Sequence, residues 1–153
     1  NMIKDKGYNI QINQQCIRSQ KDSIIDFYKE KNIKSYVFEF DKNILNLILS
    51  SDLAITRCGA SATAELVHTL TPFIAVPLHN SIDNHQYLNA KFYEGKGCCW
   101  ILDQNNFTKE NLFNLIIEKI KNKKKLENIR KNMKKIYTNN VYSIIETQIK
   151  EII

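Results

Sequence analysis

The chain has 153 residues, 43% of them hydrophobic and 25% charged, a balance that suits one soluble globular domain with a real core. No apolar run approaches the roughly 20 residues needed to span a bilayer, and the opening NMIKDKGYN lacks the apolar centre of a signal peptide. The four cysteines show no metal-type spacing, which points to a reducing cytoplasm, and the net charge of +6 is concentrated in residues 118–135, with nine Lys or Arg against two Glu.

In chain order, residues 8–13 alternate as a strand does, and 19–30 reads as a helix with Ile24, Ile25, Phe27 and Tyr28 on its apolar side and Asn32 as its stop. Residues 35–40 form the next strand, and Asp41 is placed to cap a helix carrying Ile44, Leu45, Leu47 and Ile48. Leu53-Ala54-Ile55 reads as a strand buried on both faces. Arg57 and the small residues Cys58-Gly59-Ala60-Ser61 predict a sharp turn, then a helix from about Ala62 with Leu66, Val67 and Leu70 on one face. Phe73-Ile74-Ala75-Val76 is a second apolar strand, ended by Pro77. A helix over 85–94 has Asp83 as its expected N-cap, and Gly95 and Gly97 bracket the turn into a short strand over 98–102. Thr108 caps a helix carrying Leu112, Leu115, Ile116 and Ile120. A lysine-rich helix with Leu126, Ile129, Met133 and Ile136 follows, then a last one with Val141, Ile144, Ile145, Ile149 and Ile152. Strands alternating with helices predict an α/β, Rossmann-like domain: a mainly parallel sheet with helices on both faces.

The centre of this pattern is residues 52–90. Strand, tight turn, helix and strand make one βαβ unit, and its turn puts backbone N–H groups and a positive helix end at one sheet edge, where an anion binds well. Glu65, one turn into that helix, faces the same crevice, where a carboxylate suits ribose hydroxyls better than a phosphate. The chain has only three arginines, and Arg57 stands beside the turn; a guanidinium holds a carboxylate or phosphate with two parallel bonds. Gln86 and Asn89 are three apart and share a helix face; amides that donate and accept suit sugar hydroxyls. Other chemistries are poorly supported. Ser61 lacks the full G-x-S-x-G elbow, a zinc site built on Cys98, Cys99 and His85 lacks CxxC spacing, and His68 and His79 have no special role. The basic stretch 118–135 holds no aromatic residue to stack on a nucleic-acid base, so it reads as a solvated charged face.

The stretch closely resembles the donor-binding half of the MurG glycosyltransferases, family 28 of the two-domain GT-B plan, which add N-acetylglucosamine to an undecaprenyl-linked muramyl-pentapeptide. The matching residues are Arg57, Gly59-Ala60-Ser61, Ala64-Glu65-Leu66, Pro72, Val76-Pro77-Leu78, Asp83-Asn84-His85-Gln86 and Asn89-Ala90. The resemblance runs from about Tyr8 to the last helices and implies a donor site for UDP-N-acetylglucosamine. In that site Phe40 and Asp41 meet the uracil, although the family's apolar residue after the Phe is here Asp41. The amides of Ala60, Ser61 and Ala62 would meet the diphosphate beside Arg57 and Gly59, Glu65 would hold the ribose, and Gln86 and Asn89 the sugar hydroxyls. His85 would sit beside the diphosphate and sugar.

The resemblance further implies an inverting hexosyltransfer without metal or other cofactor, and no catalytic residue in this chain, which alone would be inactive. It implies as partners a lipid-linked muramyl-pentapeptide acceptor held by another domain, and the anionic cytoplasmic face of the inner membrane, but no nucleic acid. The start at Asn1, with no glycine-rich loop ahead of Tyr8, reads as residues 1–153 of a donor-binding domain that lacks its first strand and the N-terminal acceptor domain. Two alternatives are another GT-B sugar-nucleotide enzyme, an epimerase or nucleotide-sugar hydrolase, and a stand-alone donor-binding subunit that needs a partner.

Overall fold

In the computed structural model, residues 7–78 and 82–138 are described. The expected last helix, with Val141 to Ile152, lies outside them, as does His79. The elements are β1 (Gln11–Gln15), α1 (Lys21–Glu30), β2 (Lys34–Phe38), α2 (Ile44–Leu49), β3 (Ala54–Thr56), α3 (Ala60–His68), β4 (Phe73–Ala75), α4 (His85–Gly95), β5 (Cys99–Ile101), α5 (Lys109–Lys121) and α6 (Lys123–Thr138). Every strand pairing is parallel, but the strands form two sheets, β1-β2 and β3-β4-β5, rather than the single sheet the alternation suggests.

The three-stranded sheet carries the core. In β4, Phe73, Ile74 and Ala75 are fully buried, and successive side chains go to opposite faces as the strand period requires. Phe73 and Ala75 join Leu66 and Val67 of α3, Ala90 of α4, and Ile129 and Met133 of α6. Ile74 and Val76 join Leu102 on the other side, with Leu112, Leu115 and Ile116 of α5 against them. Helices therefore cover both faces of this sheet. Burying a side chain such as Phe73 or Ile74 contributes about 1.5–3 kcal/mol. The lysine-rich helix sorts itself by the same logic: Leu126, Ile129 and Met133 face inward, while Lys123, Lys124, Lys131, Lys134 and Lys135 stay exposed. Lys119 of α5 is an exception: the residue is buried, with its Nζ 2.7 Å from Glu118 and over the Trp100 ring.

Leu53-Ala54-Ile55 departs from the expectation of a strand buried on both faces. Ile55 is 48% exposed because β3 pairs only with β4 among the described residues, so it is an edge strand. The smaller sheet is thinly buried, with Val37 and Phe38 as its buried residues and none in α1.

Three helices end in the same way. After α1, α3 and α4 the chain places Asn32 (φ 51°), Leu70 (φ 55°) and Gly97 (φ 67°) in the left-handed region. Each donates its N–H back to a carbonyl three residues earlier, and the following N–H reaches five residues back: Asn32 to Lys29 and Ile33 to Tyr28, Leu70 to Val67 and Thr71 to Leu66, Gly97 to Glu94 and Cys98 to Tyr93. This is the Schellman stop, which satisfies the last helical carbonyls. Asn32 was legible as a stop; Leu70, a branched side chain in that conformation, was not.

Candidate functional site

The site lies where β3 and β4 end and α3 and α4 begin. The expected sharp turn is present, but Cys58 rather than Gly59 makes it. Cys58 is fully buried with φ 65°, whereas Gly59 is extended (φ −64°) and serves as the N-cap of α3. A Cβ on Gly59 would meet nothing within 4 Å, so that backbone faces open space. Helix α3 starts at Ala60, two residues earlier than expected, and its first helical bond runs from Thr63 N to Gly59 O at 3.0 Å. The N–H groups of Ala60, Ser61 and Ala62 therefore have no carbonyl within the helix and point out of its positive end. Thr63, buried, ties this end together by donating its hydroxyl to Gly59 O and Ala60 O, both at 2.9 Å.

Arg57 leaves the end of β3 and donates through Nη1 to Val76 O, 3.1 Å away at the end of β4, and to Gln104 Oε1 at 3.2 Å. Gln104 belongs to the short turn after β5, so one guanidinium links the ends of three adjacent strands. Nothing in the sequence marked Gln104: its bond to Arg57 spans 47 residues and leaves no local pattern. Glu65, half-buried on α3, makes no side-chain hydrogen bond or ion pair among the described residues.

Helix α4 begins at His85 as expected, but Asp83 is not its cap. Asp83 (φ 49°) and Asn84 (φ 56°) are both left-handed, Asn84 is the N-cap, and its side chain makes no capping bond. His85 is exposed. Gln86 and Asn89 both face the strand ends, and both amides reach backbone. Gln86 Oε1 accepts from Leu78 N at 3.0 Å, and Asn89 Nδ2 donates to Cys58 O at 3.1 Å.

Phe40 and Asp41 stand beyond β2, in the other sheet, and no hydrogen bond among the described residues ties them to the group around Arg57. Phe40 is 80% exposed, which excludes a core role and leaves its ring available as a flat surface. Asp41 is not the N-cap of α2, a place taken by Asn43. Its carboxylate instead accepts from Asn43 N at 2.7 Å and from the Tyr36 hydroxyl at 2.9 Å, and that second bond raises the Tyr36 pKa. Among the described residues no three of His, Cys, Asp and Glu gather in a way that could hold a metal ion. Cys98 and Cys99 are core residues, and burial pushes the Cys58 and Cys98 thiols up to about 11. No described helix is long and apolar enough to cross a membrane.

The glycosyltransferase family 28 C-terminal domain matches residues 2–148. The UDP-N-acetylglucosamine--N-acetylmuramyl-(pentapeptide) pyrophosphoryl-undecaprenol N-acetylglucosamine transferase of Pelagibacter ubique is 38% identical over 148 residues, covering 97% of this chain and 42% of that protein. The protein of the same name from Rickettsia bellii is 38% identical over 134 residues, covering 88% of this chain and 38% of its own length. The chain thus spans about two fifths of these relatives. Among solved structures, Acinetobacter baumannii MurG superposes with a TM-score of 0.74 at 25% identity, over 87% of this chain and 39% of that one. A kitacinnamycin glycosyltransferase shares the fold, with a TM-score of 0.57 at 14% identity, over 92% of this chain and 43% of that one. With the family's C-terminal domain matched over nearly its whole length, this chain belongs to glycosyltransferase family 28.

Proposed function

We propose that this chain is the donor-binding domain of an inverting transferase that moves N-acetylglucosamine from UDP-N-acetylglucosamine to a lipid-linked muramyl-pentapeptide. The observation that carries the reading is the β3–α3 turn, where the free amides of a helix N-terminus stand beside Arg57 at the strand ends, with Glu65 a turn into the helix. Inverting transfer requires stabilisation of the departing diphosphate, and a fixed set of N–H donors with an adjacent cation supplies it without reorganising as charge develops. Glu65 accepts from the ribose hydroxyls, the exposed Phe40 ring covers the uracil beside Asp41, and the α4 face with Gln86 and Asn89 meets the sugar, His85 lying between sugar and diphosphate. The base that takes the acceptor's proton and the acceptor site belong to another domain. The enzyme works as a peripheral protein on the cytoplasmic face of the membrane that holds its lipid acceptor, and the exposed lysines of α6 favour that anionic surface.

The two-sheet topology supports a matching view of the domain. In a doubly wound sheet the first strand lies between the second and the fourth. Here β1 and β3 each have one unpaired edge among the described residues, and Ile55 of β3 is exposed. A further parallel strand between β1 and β3 would join the two sheets into one. Calorimetry on the complete protein tests the donor site. UDP and UDP-N-acetylglucosamine should bind, and ADP should bind at least tenfold more weakly; equal affinity for ADP and UDP would refute the uracil pocket. Transfer to a lipid-linked acceptor by the complete protein tests the reaction.

A further inference from the structure

The two amides of α4 are fixed by backbone groups, and this settles which way each one points. A carbonyl only accepts, so the Asn89 atom 3.1 Å from Cys58 O is its NH2. An N–H only donates, so the Gln86 atom 3.0 Å from Leu78 N is its oxygen. The Asn89 bond ends on an unusual residue: Cys58 is fully buried and left-handed, a conformation unfavourable to any residue with a Cβ. Its own N–H goes to Thr56 Oγ1 at 3.2 Å, so both of its peptide groups are held from outside the turn. Because the next residue is the N-cap of α3, the conformation of Cys58 sets where the amides of Ala60, Ser61 and Ala62 point.

We infer that Asn89 is a positioning residue for the diphosphate pocket: its NH2 pins the strained Cys58 turn and leaves its carbonyl oxygen for the donor sugar. The inference rests on the donor-site reading above and adds a division of labour within α4. Gln86 offers the sugar a donor, Nε2, and Asn89 an acceptor, Oδ1. A change at Asn89 therefore reaches the nucleotide as well as the sugar.

The test is calorimetry with UDP and with UDP-N-acetylglucosamine on the complete protein carrying Asn89→Ala or Asn89→Asp. Removing the brace should weaken UDP about tenfold in both variants, although UDP carries no sugar. Asn89→Asp keeps an acceptor oxygen, so its ratio of UDP-sugar to UDP affinity should stay within about twofold of the parent, whereas Asn89→Ala should lower that ratio. On a Cys58→Gly background, where glycine takes φ 65° unaided, Asn89→Ala should cost UDP less than threefold. UDP affinity unchanged by Asn89→Ala would overturn the inference and return Asn89 to the sugar alone. An equal UDP loss on both backgrounds would also overturn it, because Asn89 would then act without the turn. Failure of the parent protein to bind UDP would sink the donor-site reading instead.

Discussion

Gly97→Ala should destabilise the protein by about 2–3 kcal/mol, and the structure divides that loss into two parts. Gly97 is the left-handed residue of the stop that ends α4, and its N–H and that of Cys98 close the helix onto Glu94 and Tyr93. An alanine held there costs roughly 1–2 kcal/mol from its Cβ alone. The second part is steric. The new Cβ would lie 2.7 Å from Asn132 Nδ2, closer than real Cβ contacts allow. Asn132 would have to swing away and lose its 3.1 Å bond to Gly97 O, a further 0.5–1.5 kcal/mol or so. Urea unfolding followed by circular dichroism should show the midpoint falling by about 1 M with an unchanged slope, for a slope near 2 kcal/mol/M. On an Asn132→Ala background the clash is gone, and Gly97→Ala should cost only the backbone part. Equal costs on the two backgrounds would refute the packing argument, and a loss below about 0.5 kcal/mol would refute both parts.

Three further outcomes are expected. Glu65→Ala should weaken UDP by about ten- to a hundredfold, the loss of one charged hydrogen bond, while Asp26→Ala on the exposed face of α1 leaves it unchanged; calorimetry compares them. Gln86→Ala should lower kcat/KM for UDP-N-acetylglucosamine by roughly one to three orders of magnitude if its bond tightens in the transition state, with little change in inhibition by UDP. The cysteines give a pH prediction. Burial raises the Cys58 and Cys98 thiols to about 11, against an ordinary 9, so these thiols stay neutral in the folded protein while the unfolded chain ionises. Their share of stability is complete below pH 9 and declines as pH rises toward 11, and native alkylation at pH 8 should label Cys16, the half-buried one, before the others. Preferential labelling of Cys58 at pH 8 would contradict its burial.

The parts of this structure legible in the sequence are those written in local patterns. Thr108 caps α5 through Asn111 N at 3.1 Å, Asn32 stops α1, and the apolar periods of α5 and α6 fall on the faces packed against the core. The βαβ unit from β3 to β4 and the place of its turn were legible for the same reason. What escaped are features set by distant partners. A reading by composition assigns the tight turn to glycine, but Cys58 takes the left-handed angle, and its carbonyl is held by Asn89 of a later helix. Asp83 looks like a cap, yet it and Asn84 both take left-handed angles, which short polar side chains tolerate. The exposure of Ile55 depends on which strand lies beside it, and the link from Arg57 to Gln104 depends on β5 emerging next to β4.

The shared helix stops have a consequence for how this fold can vary. After α1, α3 and α4, only a few residues separate the left-handed residue from the next strand: Asn32 from Lys34, Leu70 from Phe73, Gly97 from Cys99. A strand shifted by one residue turns every side chain to the opposite face. A single inserted residue after Leu70 would then aim Phe73 and Ala75 where Ile74 and Val76 now pack, and scramble two cores at once. Of the segments that leave the strands at the opposite rim, only the β3–α3 turn is as short; the chain takes residues 76–84 to pass from Ala75 to His85. Length changes should therefore accumulate on the rim where the strands end and be nearly absent from the rim behind it, so that relatives differ in loop length mainly on one side.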